Sequence, residues 1–166
     1  MDGAPAFQTV LDEHGQALLR FCMREAGRER GEDVFQETML AALRAYATVR
    51  DPSAVRAWLY AIAVRKAVDA HRSADRAGVP VAAPELLAEG GEPVAGPTQG
   101  AGEIWQLVAR LPERQRVAVA LRYLADLSHA EIGAAMGTSE EAARRSVFEG
   151  LRRLRAELGD RRQDDR

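Results

Sequence analysis

The chain has 166 residues, of which 5% are aromatic and 29% charged, with a formal net charge of −2. That length allows one domain or two small ones with thin cores. The near-neutral balance excludes a free-standing DNA-coating protein and suits a subunit whose DNA affinity comes from a larger assembly.

Ala, Leu and Arg dominate, and alternating β-branched runs are absent, so the expected class is all-α. The start MDGAPAFQTV has no basic segment and no long apolar run. The expectation is a cytoplasmic protein without membrane insertion. Cys22 stands alone, so no intrachain disulfide forms, and a buried inert thiol is expected. His14, His71 and His129 show no ligand spacing, and no phosphate loop, nucleophile elbow or carboxylate pair occurs. Neither a metal, a cofactor nor enzymatic activity is expected.

In chain order, residues 5–26 form a first helix, with Phe7, Val10, Leu11, Leu18, Leu19 and Cys22 on one stripe. A second covers about 32–47, with Val34, Phe35, Met39, Leu43 and Tyr46 as its apolar positions. Asp51-Pro52 supplies a cap and a first-turn proline for a third helix running to Arg76. Trp58, Leu59, Ile62, Ala63 and Val68 of that helix face a core. Its Arg56, Arg65, Lys66, Arg72 and Arg76 outnumber Asp69 and Asp75, making it the most basic patch of this half.

Residues 77–103 break every periodicity and gather most of the prolines, so they read as a linker. They carry four acidic and no basic side chains, whereas 1–76 hold 11 of each and 104–166 hold 12 basic and 10 acidic. The linker is therefore the acidic part. Two small helical domains, 5–76 and 104–158, on a flexible tether are the expected architecture.

Beyond it, Ile104, Leu107, Val108 and Leu111 mark a short amphipathic helix, and Pro112 opens another to about Leu124. The stretch 111–158 then has the pattern of a helix-turn-helix, whose second helix enters the DNA major groove. Ser128 with Glu131, and Thr138 with Glu141, read as two capping boxes, and Gly137 ends the intervening helix in a left-handed conformation. The second helix turns Ala143, Val147, Leu151, Leu154 and Leu158 inward. Arg145, Phe148, Arg152 and Arg155 line up on its opposite side with Arg144 beside them. An Arg fork bonds two guanine acceptors or one phosphate bidentately. A solvated basic helix end explains Arg152, Arg153 and Arg155 equally well. It explains Arg144 and Arg145 poorly, because cations are not favoured near a helix start.

Two segments together resemble a known family. GEDVFQETMLAALRAYATVRDPSAVRAWLYAIAVRKAVDAHR is similar to domain 2 of the extracytoplasmic-function (ECF) sigma factors of bacterial RNA polymerase. LPERQR with LRYLADLSHAEIGAAMGTSEEAARRSV is similar to their domain 4, and the order and linker length agree. The resemblance implies that Asp33, Gln36 and Glu37 dock on the β′ clamp helices of core polymerase. It implies that the turn carrying Arg50, Asp51 and Ser53 captures a flipped base of the −10 element. Trp58, Arg65, Lys66 and Arg72 then hold the non-template strand. Trp58 alone would more readily be read as core. Thr138, Ser139, Arg144, Arg145, Phe148 and Arg152 face the −35 element, with the β flap as a further polymerase contact and a cognate anti-sigma factor as a further partner. The linker would thread toward the polymerase's active-site and RNA-exit channels.

The chain departs from the family pattern at Val64-Arg65, at Arg144-Arg145-Ser146 and at Glu149, where a basic residue is frequent. The function expected is that of an alternative sigma factor. Its rivals are a stand-alone helix-turn-helix regulator and a degenerate sigma-like interaction protein that no longer reads DNA.

Overall fold

The computed structural model describes residues 6–78 and 101–164, which contain seven α-helices and no strand. Helix α1 (Phe7–Ala26) and α2 (Arg28–Ala45) are separated by Gly27 alone, and α3 (Val55–Arg76) follows after two short 3-10 turns. Helices α4 (Ala101–Ala109), α5 (Glu113–Tyr123), α6 (His129–Met136) and α7 (Glu140–Asp164) make up the second half. Most of the expected linker lies outside the described residues, and α4 starts inside its last three positions.

Helix α2 begins at Arg28, ahead of the expected 32, because Gly31 marks a crossing and not a break. A Cβ on Gly31 would stand 2.4 Å from the Met23 Cα, so only glycine lets α1 and α2 approach backbone to backbone. The inward face of α2 then runs Gly31, Val34, Thr38 and Ala42. The Thr38 hydroxyl donates to the Val34 carbonyl at 2.7 Å, satisfying its polar group locally. Leu43, expected among the core positions, falls off that face and is 55% exposed.

Helix α3 buries Leu59, Tyr60, Ile62 and Ala63, and the Tyr60 ring meets Phe21 edge-on at 5.4 Å. In the second half, Leu107, Val108 and Leu111 pack with Val119 and Leu154, whereas Ile104 faces solvent. Of the expected stripe on α7, Ala143, Val147 and Leu154 are buried and Leu151 is half-buried. Leu158 is exposed, because α7 outruns the elements that cover it. Cys22 is fully buried, and burial, reinforced by the nearby Glu25 charge, pushes its thiol up to about 12.

Both helical halves are present, and they share a core that periodicity did not disclose. Leu18, Phe21, Leu59 and Ala63 of the first half belong to one apolar cluster with Val117, Leu121, Leu127 and Ile132 of the second. α6 lies across α3, and α5 reaches α1. At this seam the Glu25 carboxylate, 5% exposed, accepts from Arg116 Nε at 3.2 Å. His71 Nε2 lies 2.5 Å from the Glu25 carbonyl. Burial raises the Glu25 carboxyl above its usual range, Arg116 opposes that rise, and Glu113 adds to it.

Removing one partner of a buried ion pair costs about 3–5 kcal/mol, because it leaves an uncompensated charge. Arg116→Met should therefore destabilise the fold by that order at pH 7. A carboxyl whose folded pKa is raised favours folding at low pH and loses that contribution as pH rises through its folded value. Without Arg116 the rise is larger, so the deficit should shrink as pH falls toward 4 and Glu25 takes up a proton. Urea midpoints at the two pH values check this, and an equal deficit at both would contradict it.

Candidate nucleic-acid interface

The exposed face of α2 carries Asp33, Gln36 and Glu37, all turned to solvent. Their spacing places them on one side of the helix. Leu40 and Leu43 continue that side at 54% and 55% exposure. The face is thus polar at one end and apolar at the other, which is how a helix presents itself to a partner helix. Sequence reading missed both here: Leu43 read as core, and Leu40 received no reading. Glu37 also lies 3.4 Å from Lys66 Nζ, an ion pair that ties this face to the next site. A groove of about 490 Å³ between α2 and α3 is lined by Arg30, Asp33, Glu37, Lys66 and Asp69, among others.

The loop before α3 shapes itself. Asp51 Oδ1 accepts from the Ser53 backbone N–H at 2.9 Å and from the Ser53 hydroxyl at 2.7 Å. These bonds hold the Asp51 carboxyl below its usual range. Arg50, Asp51 and Ser53 are all exposed beside one another. Trp58 is half-buried, with its ring tilted against Tyr46 at 6.3 Å, and Tyr46 meets Phe7 edge-on at 5.3 Å. Two and four turns further on, Arg65 and Arg72 are exposed on the same face as Trp58. Arg65 Nε donates to the Ala61 carbonyl at 3.2 Å. Lys66 sits on the adjoining side, engaged with Glu37. The structure thus groups the loop, Trp58, Arg65 and Arg72 along one edge of α3 and sets Lys66 between that edge and α2.

The helix-turn-helix is closed at both ends of its short first helix. Ser128 Oγ accepts from the Glu131 N–H at 3.2 Å while Glu131 Oε2 accepts from the Ser128 N–H at 2.8 Å, the reciprocal pair expected there. At the other end Gly137 adopts φ +66°, and the Thr138 N–H donates to the Gly133 carbonyl at 2.8 Å. The second expected capping box does not form. The cap of α7 is Ser139, whose hydroxyl accepts from the Ala142 N–H at 3.1 Å, because the left-handed turn engages Thr138 in closing α6. Thr138 is half-buried and Ser139 exposed.

Freed from capping, the acids of the first turn of α7 find basic partners one turn on. Glu140 accepts from Arg144 at 2.6 Å and Glu141 lies 3.6 Å from Arg145. Arg144 and Arg145 remain more than half exposed. Such pairs are worth only a few tenths of a kcal/mol, too little to hold the guanidinium groups from a phosphate. Arg145, Phe148 and Arg152 share one open face, with Phe148 59% exposed. Glu149, four residues after Arg145 and so at a spacing that permits an ion pair, turns instead to α5 and accepts from Gln115 Nε2 at 3.2 Å.

Two further long-range pairs, beside Glu25–Arg116, escaped sequence reading. Arg56 donates to both oxygens of Glu131 at 3.0 and 3.1 Å, and Arg24 stands 5.3 Å from the Trp105 ring centre. Glu131 read as a cap and is one, and nothing local marks its second role. Among the described residues no cluster of His, Cys, Asp or Glu could hold a metal ion, and no helix is long and apolar enough to cross a membrane.

Residues 10–77 match the sigma-70 region 2 family and residues 101–154 the sigma-70 region 4 family. The ECF RNA polymerase sigma factor SigD of Mycobacterium tuberculosis is 35% identical over 92% of this chain and 77% of its own length. ShbA of Streptomyces griseus, also an ECF RNA polymerase sigma factor, is 33% identical over 92% of this chain and 87% of its own. The sigma factor RpoE of Bartonella quintana, solved with the anti-sigma factor NepR, shares the fold with a TM-score of 0.78 at 20% identity. That match covers 92% of this chain and 96% of the other.

The two faces of α7 predict different mutant behaviour. Arg145→Ala should weaken binding to duplex DNA of any sequence and lower the salt slope by about one unit for each phosphate it no longer neutralises. Glu149→Ala should leave both unchanged. It should instead lower stability by about 1 kcal/mol by stranding the buried Gln115 amide. Anisotropy titrations at several salt concentrations and urea midpoints separate the two. A weakened Glu149→Ala complex, or an Arg145→Ala complex with the wild-type salt slope, would refute this division.

Proposed function

Since the chain belongs to the ECF family of RNA polymerase sigma factors, which direct core polymerase to chosen promoters, we propose how its residues divide that work. Residues 5–76 act as region 2 and 104–158 as region 4, joined by the acidic linker. Asp33, Gln36 and Glu37, extended by Leu40 and Leu43, dock on the β′ clamp helices. The loop Arg50–Ser53 sets base preference at −10. Its internal Asp51–Ser53 bonds support this role, because a loop already shaped loses less entropy when a base enters it.

Trp58, Arg65 and Arg72 follow the single strand along α3, where an aromatic face and spaced cations provide stacking and phosphate contact. Lys66 joins them when it leaves Glu37. Arg144, Arg145, Phe148 and Arg152, with Ser139 and Thr138 at the helix start, read duplex at −35 and its phosphates. The polymerase supplies the chemistry, and region 4 has the β flap as its second partner. The protein acts where the polymerase is, in the cytoplasm. A cognate anti-sigma factor is proposed as a further partner, in line with the NepR complex of the Bartonella protein.

The observation that carries this reading is the combination of the exposed face of α2 with the open basic face of α7, in the order of regions 2 and 4. A stand-alone helix-turn-helix regulator would need only the second.

Replacing Asp33, Gln36 and Glu37 together by Ala should abolish competition with a housekeeping sigma factor for purified core polymerase. The loss should be at least about tenfold, the size expected when a cluster of interface anchors is truncated. Helicity should not change, since all three side chains are exposed. Undiminished competition by the triple variant would remove the assignment of this face.

A further inference from the structure

Tyr46 read as an apolar position of α2, and the division of work above leaves it without a task. Helix α2 ends at Ala45, and the chain tightens there into the 3-10 turn Tyr46–Thr48. Two bonds fix the turn: the Thr48 hydroxyl donates to the Ala45 carbonyl at 2.6 Å, and the Val49 N–H donates to the Tyr46 carbonyl at 3.0 Å. Arg50, the first residue of the −10 loop, follows Val49 directly. The Tyr46 ring lies between two others. Phe7, the first residue of α1, meets it edge-on at 5.3 Å, and Trp58 of α3 is tilted against it at 6.3 Å. All three rings are half-buried and pack against the rim of the shared core.

Three rings from three separate elements make a brace. Both ring pairs fall within the centroid distances at which aromatic side chains attract one another. A half-buried indole with no such neighbour is free to turn about its side-chain torsions, and fixing it on binding costs affinity. Turning would also spoil the register along α3, where Arg65 and Arg72 follow Trp58 on one edge at fixed spacing. The same residue that braces the indole holds the start of the −10 loop through its main chain. Tyr46 thus ties the position of the loop to the position of the ring.

We propose that Tyr46 is a positioning residue for the single strand: its ring, backed by Phe7, holds the Trp58 indole ready for a base, while its main chain anchors the −10 loop. The proposal rests on the strand reading of α3 given above, which says nothing of how Trp58 is held. Two kinds of group then act along this edge. Arg65 and Arg72 neutralise phosphates, so their contribution falls as salt rises. Tyr46 acts through a stacking ring and contributes equally at low and high salt.

The test uses the full chain carrying fluorotryptophan at both tryptophans, read by fluorine NMR, with Trp58→Phe to assign the two signals. Trp105 stands beside Arg24, near the far end of α1 from Phe7, and serves as an internal control. Strand affinity is read from the anisotropy of a dye-labelled, mixed-sequence DNA single strand. Tyr46→Leu keeps apolar bulk and removes the ring. It should move the Trp58 signal toward that of an exposed tryptophan and leave the Trp105 signal in place. Strand affinity should fall about threefold to tenfold, the size expected from having to order one side chain, with the salt slope unchanged. Tyr46→Phe keeps the ring and should bind as the wild type does. In a Trp58→Ala background Tyr46→Leu should cost nothing further.

A Trp58 signal that Tyr46→Leu leaves in place would overturn the brace. So would a loss of affinity that is the same with and without Trp58, or one that Tyr46→Phe does not recover. Should Tyr46→Leu move the Trp105 signal as well, the fold itself has changed. Phe7→Leu, which withdraws only the backing ring, then decides by the same two readouts. If the wild type binds no strand at all, the strand reading of α3 falls and takes this role of Tyr46 with it. A wild type that binds, and a Tyr46→Leu variant that binds equally well, would overturn the role alone.

Discussion

Helix α3 has to pack against both halves of the chain at once through one shared core, and the rest of the molecule is arranged around that demand. Its Leu59, Tyr60 and Ala63 fill the space between α1 and α2, and the same apolar cluster continues into Leu127 and Ile132 of the second half. A helix covered on several sides has only a narrow strip left for solvent. On α3 that strip carries Trp58, Arg65 and Arg72. Burial elsewhere on the helix thus fixes where its cations point, and a rigid helix presents them at fixed spacing.

The second half works under a different limit. α6 has eight residues, too few to be stable alone, so its shape is imposed from outside. The Ser128–Glu131 box closes one end and the left-handed Gly137 the other. A Cβ on Gly133 would stand 2.9 Å from the Thr138 carbonyl oxygen, which shows how tightly the turn folds back. That turn sets the angle at which α7 leaves, and hence the direction in which Arg145, Phe148 and Arg152 face. Glu131 adds a tertiary bond to this local geometry.

Legibility in the sequence followed range. The Ser128–Glu131 box and the Gly137 stop were readable because each is settled within a few residues, whereas Asp51-Pro52 starts the 3-10 turn ahead of α3 and not α3 itself, which begins at Val55. The helix-turn-helix and the division of the chain followed from those marks and from the Pro-rich, acidic linker. The cap of α7 was misplaced by one residue, because Thr138 and Ser139 are chemically equivalent caps and only the closing bond of α6 decides between them. Gly31 received no reading, since its use is a close approach to Met23 that only the folded chain displays. Leu43, Ile104 and Leu158 read as core because periodicity identifies an apolar face but not what covers it. Glu149 had two possible partners, and the buried amide of Gln115 prevailed over the solvated Arg145. Arg56 with Glu131 and Glu25 with Arg116 lie 75 and 91 residues apart, and no local pattern could have joined them.

The central claim is that one chain supplies both promoter contacts and delivers them through polymerase. Core polymerase loaded with the protein can select its own promoters from a random DNA pool, and hydroxyl-radical footprinting of the selected duplexes then tests the claim directly. The account predicts two protected patches about 25 base pairs apart, roughly 85 Å along the duplex, with unpaired bases only in the downstream patch. It predicts neither patch when polymerase is omitted at physiological salt. A single patch, or the same protection by the protein alone, would contradict it.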